Sequence, residues 1–185
     1  MFGLFLILFA TIISILGFLI TPDSSPYAND QKPELLIKKP GFKTKMLWVK
    51  KNENTHETNW FDKMLFGQVS DYAYIPIYSY SYNQFDIVIE EYTGNNPNNG
   101  TRIPFNLADV AYDINNNYPV KNDSVANTIE FYQLSTGEKM KVKVDDLKNL
   151  IEKDFIRERS YKLGTDLAGR DLLSRIMIGT RISLS

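Results

Sequence analysis

The chain begins with an unbroken apolar run and later changes to alternating patterns. Residues 1–20 carry no charged side chain, and twenty helical residues rise about 30 Å, which matches the hydrocarbon core of a bilayer. We therefore predict a transmembrane helix over residues 1–21. A secretory signal peptide is the alternative, but it needs a basic start, a shorter apolar core and small residues at a cleavage site, and this run has none of them.

Four small residues fall on one side of this helix. At 100° per residue, Gly3, Ala10, Ser14 and Gly17 lie within about 60° of one another. In lipid, small residues let a second helix approach closely, because packing replaces the hydrophobic effect there. We predict that this stripe packs against another helix.

Residues 22–34 are rich in Pro, Ser, Asp and Asn, which predicts an exposed linker. Residues 35–160 then alternate between apolar and polar positions and contain many β-branched and aromatic residues, which favours strands. The predicted strands are Lys43–Lys51, Tyr72–Tyr82 and Phe85–Thr93, with a later hairpin that turns at Ser135–Lys139 around Gly137. This pattern predicts an α+β domain with a β-rich core.

Two segments of this domain have helical periodicity, Thr58–Gly67 and Asp145–Glu158, the second with Asp145 as its N-cap. Pro76 makes the second strand an edge strand or a bulged one. The many aromatic residues at period two favour core packing and cross-strand pairing over stacking on a ligand.

Composition excludes several classes of function. Acidic and basic residues nearly cancel, with a net charge of -1, so the basic surface of a nucleic-acid-binding protein is missing. Without cysteine there is no disulfide or thiolate site. His56 is the one histidine, in a polar stretch that predicts solvent exposure, and a multi-histidine metal site is excluded. We interpret Glu90–Glu91 and Asp145–Asp146 as solvated pairs; a membrane-anchored hydrolase that uses such acidic residues stays a less favoured rival, because the sequence has no nucleophile motif. We predict no catalytic site, metal or cofactor.

The closing segment has the pattern of an amphipathic helix that starts with Thr165 or Asp166 as N-cap. Asp166–Arg170 and Asp171–Arg175 are acid-first pairs at i,i+4, each worth about 0.2–0.5 kcal/mol on a helix. One face of the wheel comprises Ala168, Gly169, Leu172, Leu173, Ile176 and Gly179. The opposite face comprises Asp166, Arg170, Ser174 and Arg175. Such a helix can lie in a membrane interface or close a soluble domain.

Residues 163–184 resemble the signature LGTDxxGRDxLSRxxxGxRxSL of bacterial ABC-importer permeases. They are most similar to the C-type permease subunit of dipeptide, oligopeptide and nickel uptake systems. The matching positions are Leu163, Gly164, Thr165, Asp166, Gly169, Arg170, Asp171, Leu173, Ser174, Arg175, Gly179, Arg181, Ile182, Ser183 and Leu184. Two features depart from the family. Tyr161–Lys162 stands where a His-Pro-like pair is common, and residues 22–162 form a much longer connection than usual.

This resemblance implies a multi-pass protein of the bacterial cytoplasmic (inner) membrane. The chain would be its N-terminal fragment, with residues 22–185 mainly extracytoplasmic and residues 161–185 leading into further transmembrane helices. It implies four partners: a second permease subunit, ATP-binding subunits, an extracytoplasmic substrate-binding protein and membrane lipid. ATP would be hydrolysed by the separate subunits, and the solute would be a peptide or a similar small molecule. We further expect the inserted domain to contact the binding protein or cover the pore entrance.

Two alternatives stay open on the residues alone. Lys38, Lys39, Lys43 and Lys45 follow the apolar run, and the positive-inside rule applied to them places the large domain in the cytoplasm. The rival function is a single-span, membrane-anchored binding or sensor module whose aromatic-rich domain binds a ligand.

Overall fold

The structure contains an N-terminal helix followed by strands and further helices. The computed structural model describes residues 2–53, 59–94, 97 and 99–184. The helices in this part are α1 (Phe2–Ile20), α2 (Trp60–Phe66), α3 (Leu107–Ala111), α4 (Val144–Leu150) and α5 (Leu172–Leu184). The strands are β1 (Phe42–Lys50), β2 (Tyr72–Asn83), β3 (Asp86–Glu91), β4 (Arg102–Asn106), β5 (Lys121–Asp123), β6 (Thr128–Tyr132), β7 (Lys139–Lys143) and β8 (Ile156–Tyr161). An N-terminal apolar helix followed by an α+β body confirms the predicted fold class at this level.

The chain divides into two compact units. The first unit comprises Met1–Lys43, His56–Ser70 and Ser160–Ser185, and the second comprises Thr44–Thr55 and Asp71–Arg159. The apolar helix, the segment predicted as a linker and the closing segment therefore belong to the same unit.

Helix α1 is 19 residues long with a mean hydropathy of 2.7, and within the described residues it is the one helix long and apolar enough to cross a membrane. Its apolar side chains are largely exposed, from Phe2 at 77% to Ile7 at 66%. Its fully buried residues, Gly17 and Phe18, lie in its last turns.

The second unit is built on two antiparallel sheets. One has five strands in the order β4-β3-β2-β1-β8, and the other has three in the order β5-β6-β7. The β6–β7 hairpin turns at Gly137, whose φ of 71° is the left-handed conformation that glycine adopts without penalty. This turn confirms the hairpin predicted from the sequence.

One hydrophobic core joins both sheets and the helices between them. It combines residues of the large sheet, α3, the small sheet and α4: Leu47, Val49, Ile77, Phe85, Ile87, Ile89, Leu107, Ala108, Val110, Ile114, Ile129, Phe131, Val144, Leu147, Ile151 and Phe155. Aromatic residues at the strand surface pair across strands as predicted; Trp48 stands opposite Tyr74 with ring centroids 5.0 Å apart.

Pro76 lies in a central strand, so the edge alternative is wrong and the bulge alternative is confirmed. Its carbonyl oxygen accepts a hydrogen bond from Tyr92 N at 3.0 Å. The β2–β3 register shifts between Ile77 and Ser79, next to it. The missing N–H of proline therefore falls where the ladder is already interrupted.

The helix predicted to end at Glu158 is shorter than expected. Helix α4 begins at Val144 after Lys143 as N-cap, so Asp145 lies in the first turn and not at the cap. A π-helical turn, Ile151–Phe155, follows, and Ile156–Tyr161 then form strand β8 beside β1. Pairing with β1 overrides the helical pattern, a tertiary effect that periodicity alone does not reveal.

The segment predicted as an exposed linker is folded. It contains the 3₁₀ turn Pro26–Ala28, in which Ala28 is fully buried, and it ends inside a second turn, Pro33–Leu35. Its polar composition is misleading because Asp23 turns inward: the carboxylate accepts hydrogen bonds from Ser25 N at 2.9 Å and Asp30 N at 3.2 Å.

Leu47→Ala tests the core directly. Leu47 is fully buried, so truncation should lower the free energy of unfolding by about 2–5 kcal/mol through lost burial and the cavity left behind. Urea unfolding of the detergent-solubilised chain, followed by near-UV circular dichroism, measures this. The matched control is Val125→Ala, because Val125 is 100% exposed and its truncation should leave the midpoint unchanged. Equal midpoints for both variants would contradict the assigned core.

Candidate functional site: the signature segment

The first part of the signature segment is a loop closed around Asp166. Residues 163–171, called the signature loop below, precede α5. The Asp166 carboxylate accepts hydrogen bonds from Ala168 N at 2.8 Å and Arg170 N at 3.0 Å. It also pairs with the Arg170 guanidinium, 2.7 Å from Nη2, and Arg170 Nη1 donates to Asn29 Oδ1 at 3.1 Å. The predicted Asp166–Arg170 pair is present, but it closes a loop and does not lie on a helix.

Two glycines let this loop approach another stretch of backbone. Gly169 has a φ of 71°, and a Cβ placed there would overlap the carbonyl oxygen of Lys32. Gly164 has a φ of 78°, and its Cβ would overlap the carbonyl oxygen of Lys38. Lys32 N donates to Ala168 O at 3.2 Å. Glycine is required at both positions, by backbone conformation and by space.

Thr165 joins the loop to the same stretch through its backbone and its side chain. Its N–H donates to Lys38 O at 3.2 Å, while Lys38 N donates to Thr165 Oγ1 at 2.8 Å. The hydroxyl in turn donates to Leu35 O, and Ile37 N donates to Asp166 O at 3.2 Å. The loop is thereby held by a ladder of hydrogen bonds to residues 32–38.

Asp171 caps α5 from a buried position. Its Oδ1 accepts from Ser174 N at 2.8 Å and from Ser174 Oγ at 3.0 Å, the geometry of an N-cap that bonds the third helical residue. Ser174 Oγ accepts from Asp23 N at 3.0 Å. Ser174 is fully buried and Asp171 is 2% exposed. The second oxygen, Asp171 Oδ2, is buried and has no hydrogen-bond partner among the described residues.

Helix α5 packs on the last turns of α1. Ile178 forms a buried cluster with Phe18 and Ala28. Its Cδ1 would lie 3.2 Å from a Cβ at Gly17, so glycine there leaves room for the isoleucine. Arg175 Nη1 donates to Tyr27 O at 3.2 Å.

Arg181 joins three helices of the first unit. It projects from α5, its guanidinium lies 5.5 Å above the Phe18 ring of α1, and its Nη1 donates to Met64 O of α2 at 2.9 Å. Arginine combines ring stacking and carbonyl binding in one planar group, so this signature residue fixes where α2 lies against the end of α1.

Three details of the predicted closing helix are wrong. It begins at Leu172 and not at Asp166, because the left-handed glycines and the Asp166 turn precede it. Ser174, assigned to the polar face, is fully buried, while Ile176, assigned to the apolar face, is 54% exposed. The Asp171–Arg175 pair does not form, since Asp171 caps the helix and Arg175 binds the Tyr27 carbonyl.

The small residues of the predicted packing stripe on α1 differ in their surroundings. Gly17 lies against Ile178, Ala10 and Ser14 are half-buried, and Gly3 faces open space. On α5, a Cβ added at Gly179 would likewise have no described atom within 4 Å outside its own helix. The remaining signature residues contribute less: Leu163 is 40% exposed, and Ser183 Oγ donates to Gly179 O at 3.0 Å.

The charge of Asp166 is stabilised by this geometry. Burial opposes its ionisation, but hydrogen bonds from Arg170, Ala168 N and Arg170 N outweigh burial and hold the pKa of the carboxyl below its ordinary value of 3.8. The carboxylate is the form that the loop requires, because each of those partners is a donor.

A separate surface feature lies in the second unit. The rings of Tyr118 and Tyr132 are tilted at 33° to each other, with centroids 4.5 Å apart, beside a cavity of about 200 Å³ that Lys121, Glu130 and Lys139 also line. Lys139 lies 2.8 Å from a Glu130 oxygen, and hydrogen bonds from Lys139 and Lys141 lower the Glu130 pKa.

Sequence reasoning misses two acidic residues. Asp23 lies in the polar segment before the first turn, where no pattern distinguishes it. Glu90, interpreted as solvated, is 5% exposed, and its Oε2 accepts from Ser79 Oγ at 2.9 Å. His56 lies outside the described residues. Within those residues, no group of three or more His, Asp or Glu side chains is placed to hold a metal ion.

Comparison with protein-family models, curated proteins and solved structures found no match to this chain.

Gly169→Ala and Gly179→Ala form a matched pair. Alanine at 169 must adopt a left-handed backbone, costing about 1–2 kcal/mol, and also displace the Lys32 carbonyl. Alanine at 179 meets open space on a helix and should raise the free energy of unfolding by up to about 1 kcal/mol. Thermal unfolding in detergent measures both. Similar unfolding temperatures for the two variants would contradict the docking of the signature loop.

Asp166→Asn tests the electrostatics of the loop. The pKa of Asp166 is lower in the folded protein than in the unfolded chain. Its charge therefore stabilises the fold at pH values above the ordinary pKa, and this contribution is lost as the pH falls through the folded pKa. Asn should therefore cost about 1–3 kcal/mol at neutral pH. The difference between the two proteins should shrink below about pH 4. Denaturant unfolding at several pH values measures the difference in free energy of unfolding between the two proteins. A difference that stays constant down to about pH 2 would show that the charge of Asp166 does not stabilise the loop.

Proposed function

We propose that this chain is part of a permease subunit of an ATP-driven importer in the bacterial cytoplasmic membrane, similar to the C-type subunits of peptide and nickel uptake systems. The observation that carries the proposal is the signature segment. Residues that match the family motif are the ones that close the loop, cap α5 and orient it along α1. In the complex, the subunit would shape and gate the path of a peptide or similar small solute, while separate subunits hydrolyse ATP.

The environment of α1 supports a membrane location. Only 11% of its most apolar stretch is buried, whereas the core helix of a soluble protein would be mostly buried. The Thr11 hydroxyl donates to Ile7 O at 2.8 Å, which satisfies the polar group inside the helix as a lipid environment demands. A retained helix also suits the packing of Gly17 against Ile178, which a cleaved signal sequence would lose.

Two open helix faces support the presence of further helices. Gly3 on α1 and Gly179 on α5 have free space where a side chain would be. In lipid, such small residues let neighbouring helices pack closely. We place the remaining spans of the subunit, or those of the second permease subunit, against these faces.

The second unit would then be extracytoplasmic, where its role is contact with the substrate-binding protein. The lysines that favour the opposite orientation precede a long domain, and long domains translocate largely regardless of charge.

A membrane-anchored binding or sensor module is the second candidate. The Tyr118–Tyr132 cavity favours it, since two tyrosine rings close together beside Lys121 suit a small aromatic ligand.

Gly179→Leu in the full-length natural protein separates the two functions. The isolated chain should fold normally, because the added side chain meets open space, but assembly with the partner subunits should fail. Co-purification with the ATP-binding subunits and uptake of a labelled oligopeptide measure the effect. Val125→Leu, on a fully exposed position of the second unit, is the control.

Normal assembly and uptake with Gly179→Leu would contradict the packing role of this face. A natural gene with no apolar spans encoded after Ser185 would refute the permease proposal and favour the anchored module.

A further inference from the structure

Helix α2 exposes an unusual amount of apolar surface for its length. Trp60 is 56% exposed, Phe61 65% and Phe66 67%, and Val69 after the helix is 57% exposed. The Trp60 and Phe61 rings contact each other edge to face with centroids 4.7 Å apart, so they form one patch. Contiguous patches of this kind in a folded protein mark a surface that contacts a partner or lipid.

The helix is fixed at the C-terminal end of α1. Gly67, which ends α2, lies so close to Phe18 that a Cβ would be 2.9 Å from its ring. Gln68 N donates to Ser24 O at 2.9 Å. Arg181 binds the last turn of α2 through Met64 O. These contacts place α2 at the level where the apolar run of α1 gives way to polar residues.

This level is where a bilayer would end. The 19 residues of α1 extend about 28 Å, close to the thickness of the hydrocarbon core, so residues near Ile20 fall at the lipid headgroups. Tryptophan is enriched at that depth because its ring is largely apolar and its N–H is polar. Arg181 can keep its charge at the same level while its stem lies along apolar surface.

We propose that α2 lies in the headgroup boundary of the membrane, with Trp60 and Phe61 inserted beside the end of α1. The occupant of the patch is the lipid bilayer, because α2 is held at the end of α1, whose apolar side chains are largely exposed up to and including Ile20 at 54%. The inference rests on the membrane insertion of α1 that the proposed function includes. Its consequence is a fixed depth and tilt for the signature segment, since Arg181 ties α5 to the same helix.

Depth-dependent fluorescence quenching tests this placement. In the Trp48→Phe variant of the full chain, Trp60 is the sole tryptophan. After reconstitution into phosphatidylcholine vesicles, its emission should shift to the blue and be quenched more by lipids brominated near the headgroup than by lipids brominated deep in the acyl chain. Phe61→Trp in a Trp48→Phe/Trp60→Phe background is a second reporter that should give the same depth, because Phe61 belongs to the same patch.

Phe9→Trp in the same background provides the depth reference, because Phe9 lies near the middle of α1. It should be quenched more by the deeply brominated lipids. Vesicle flotation of each variant reports membrane insertion independently of the tryptophan at position 60.

Three results would overturn the inference. If the chain floats but Trp60 is quenched by aqueous acrylamide and not by brominated lipid, α2 faces water and only the anchoring by α1 survives. If Trp60 reports the same depth as the Phe9→Trp reference, α2 is not at the boundary. If the chain does not float, the membrane location fails and the inference fails with it.

Discussion

The close approach of two backbone stretches organises the first unit. The signature loop can lie against residues 32–38 only because Gly164 and Gly169 have no Cβ and adopt positive φ. That contact sets the start of α5, since Leu172 N donates to Gly164 O at 3.2 Å immediately after the loop. The direction of α5 along α1 follows from the loop, so a steric condition at two glycines determines how the helices pack.

The polar residues of the signature are stabilised by backbone partners. Thr165 and Ser174 are buried, yet their hydroxyls bond carbonyl or N–H groups or the capping carboxylate, which offsets the cost of removing them from water. Asp171 is the exception, because one oxygen of its carboxylate is buried without a described partner. Its position at the start of α5 lets the helix dipole compensate part of that cost. The segment therefore has the character of a structural joint, in which specificity comes from hydrogen-bond geometry more than from apolar burial.

The sequence predicts elements well where one local pattern decides them. Alternation locates β1, β2 and β3, and Gly137 marks the β6–β7 turn, because strand periodicity and turn conformation are local properties. Strand β8 escapes such reasoning because Ile156–Tyr161 becomes extended only by pairing with β1. The Asp166–Arg170 spacing predicts a helix, whereas the structure has a turn there. An acidic and a basic residue four positions apart can pair on a helix or across a loop that the carboxylate closes, so the spacing does not distinguish the two. The residues that contact the signature loop cannot be predicted from the sequence. Lys32 and Lys38 contact it through backbone groups, which every residue type has.

The arginines of the signature clarify what the segment does. Arg170 forms an ion pair with Asp166, and Arg175 donates a hydrogen bond to the Tyr27 carbonyl. Arg181 donates to the Met64 carbonyl and lies over the Phe18 ring. These contacts use the guanidinium donors to position turns and helices, so the motif does not need a solute to satisfy its charges. Positioning of this kind matters most where helices lack a hydrophobic driving force between them, as they do in lipid. A charged, glycine-containing segment next to an apolar helix thus positions one helix against another, and in the proposed permease this contact would lie at the edge of the membrane.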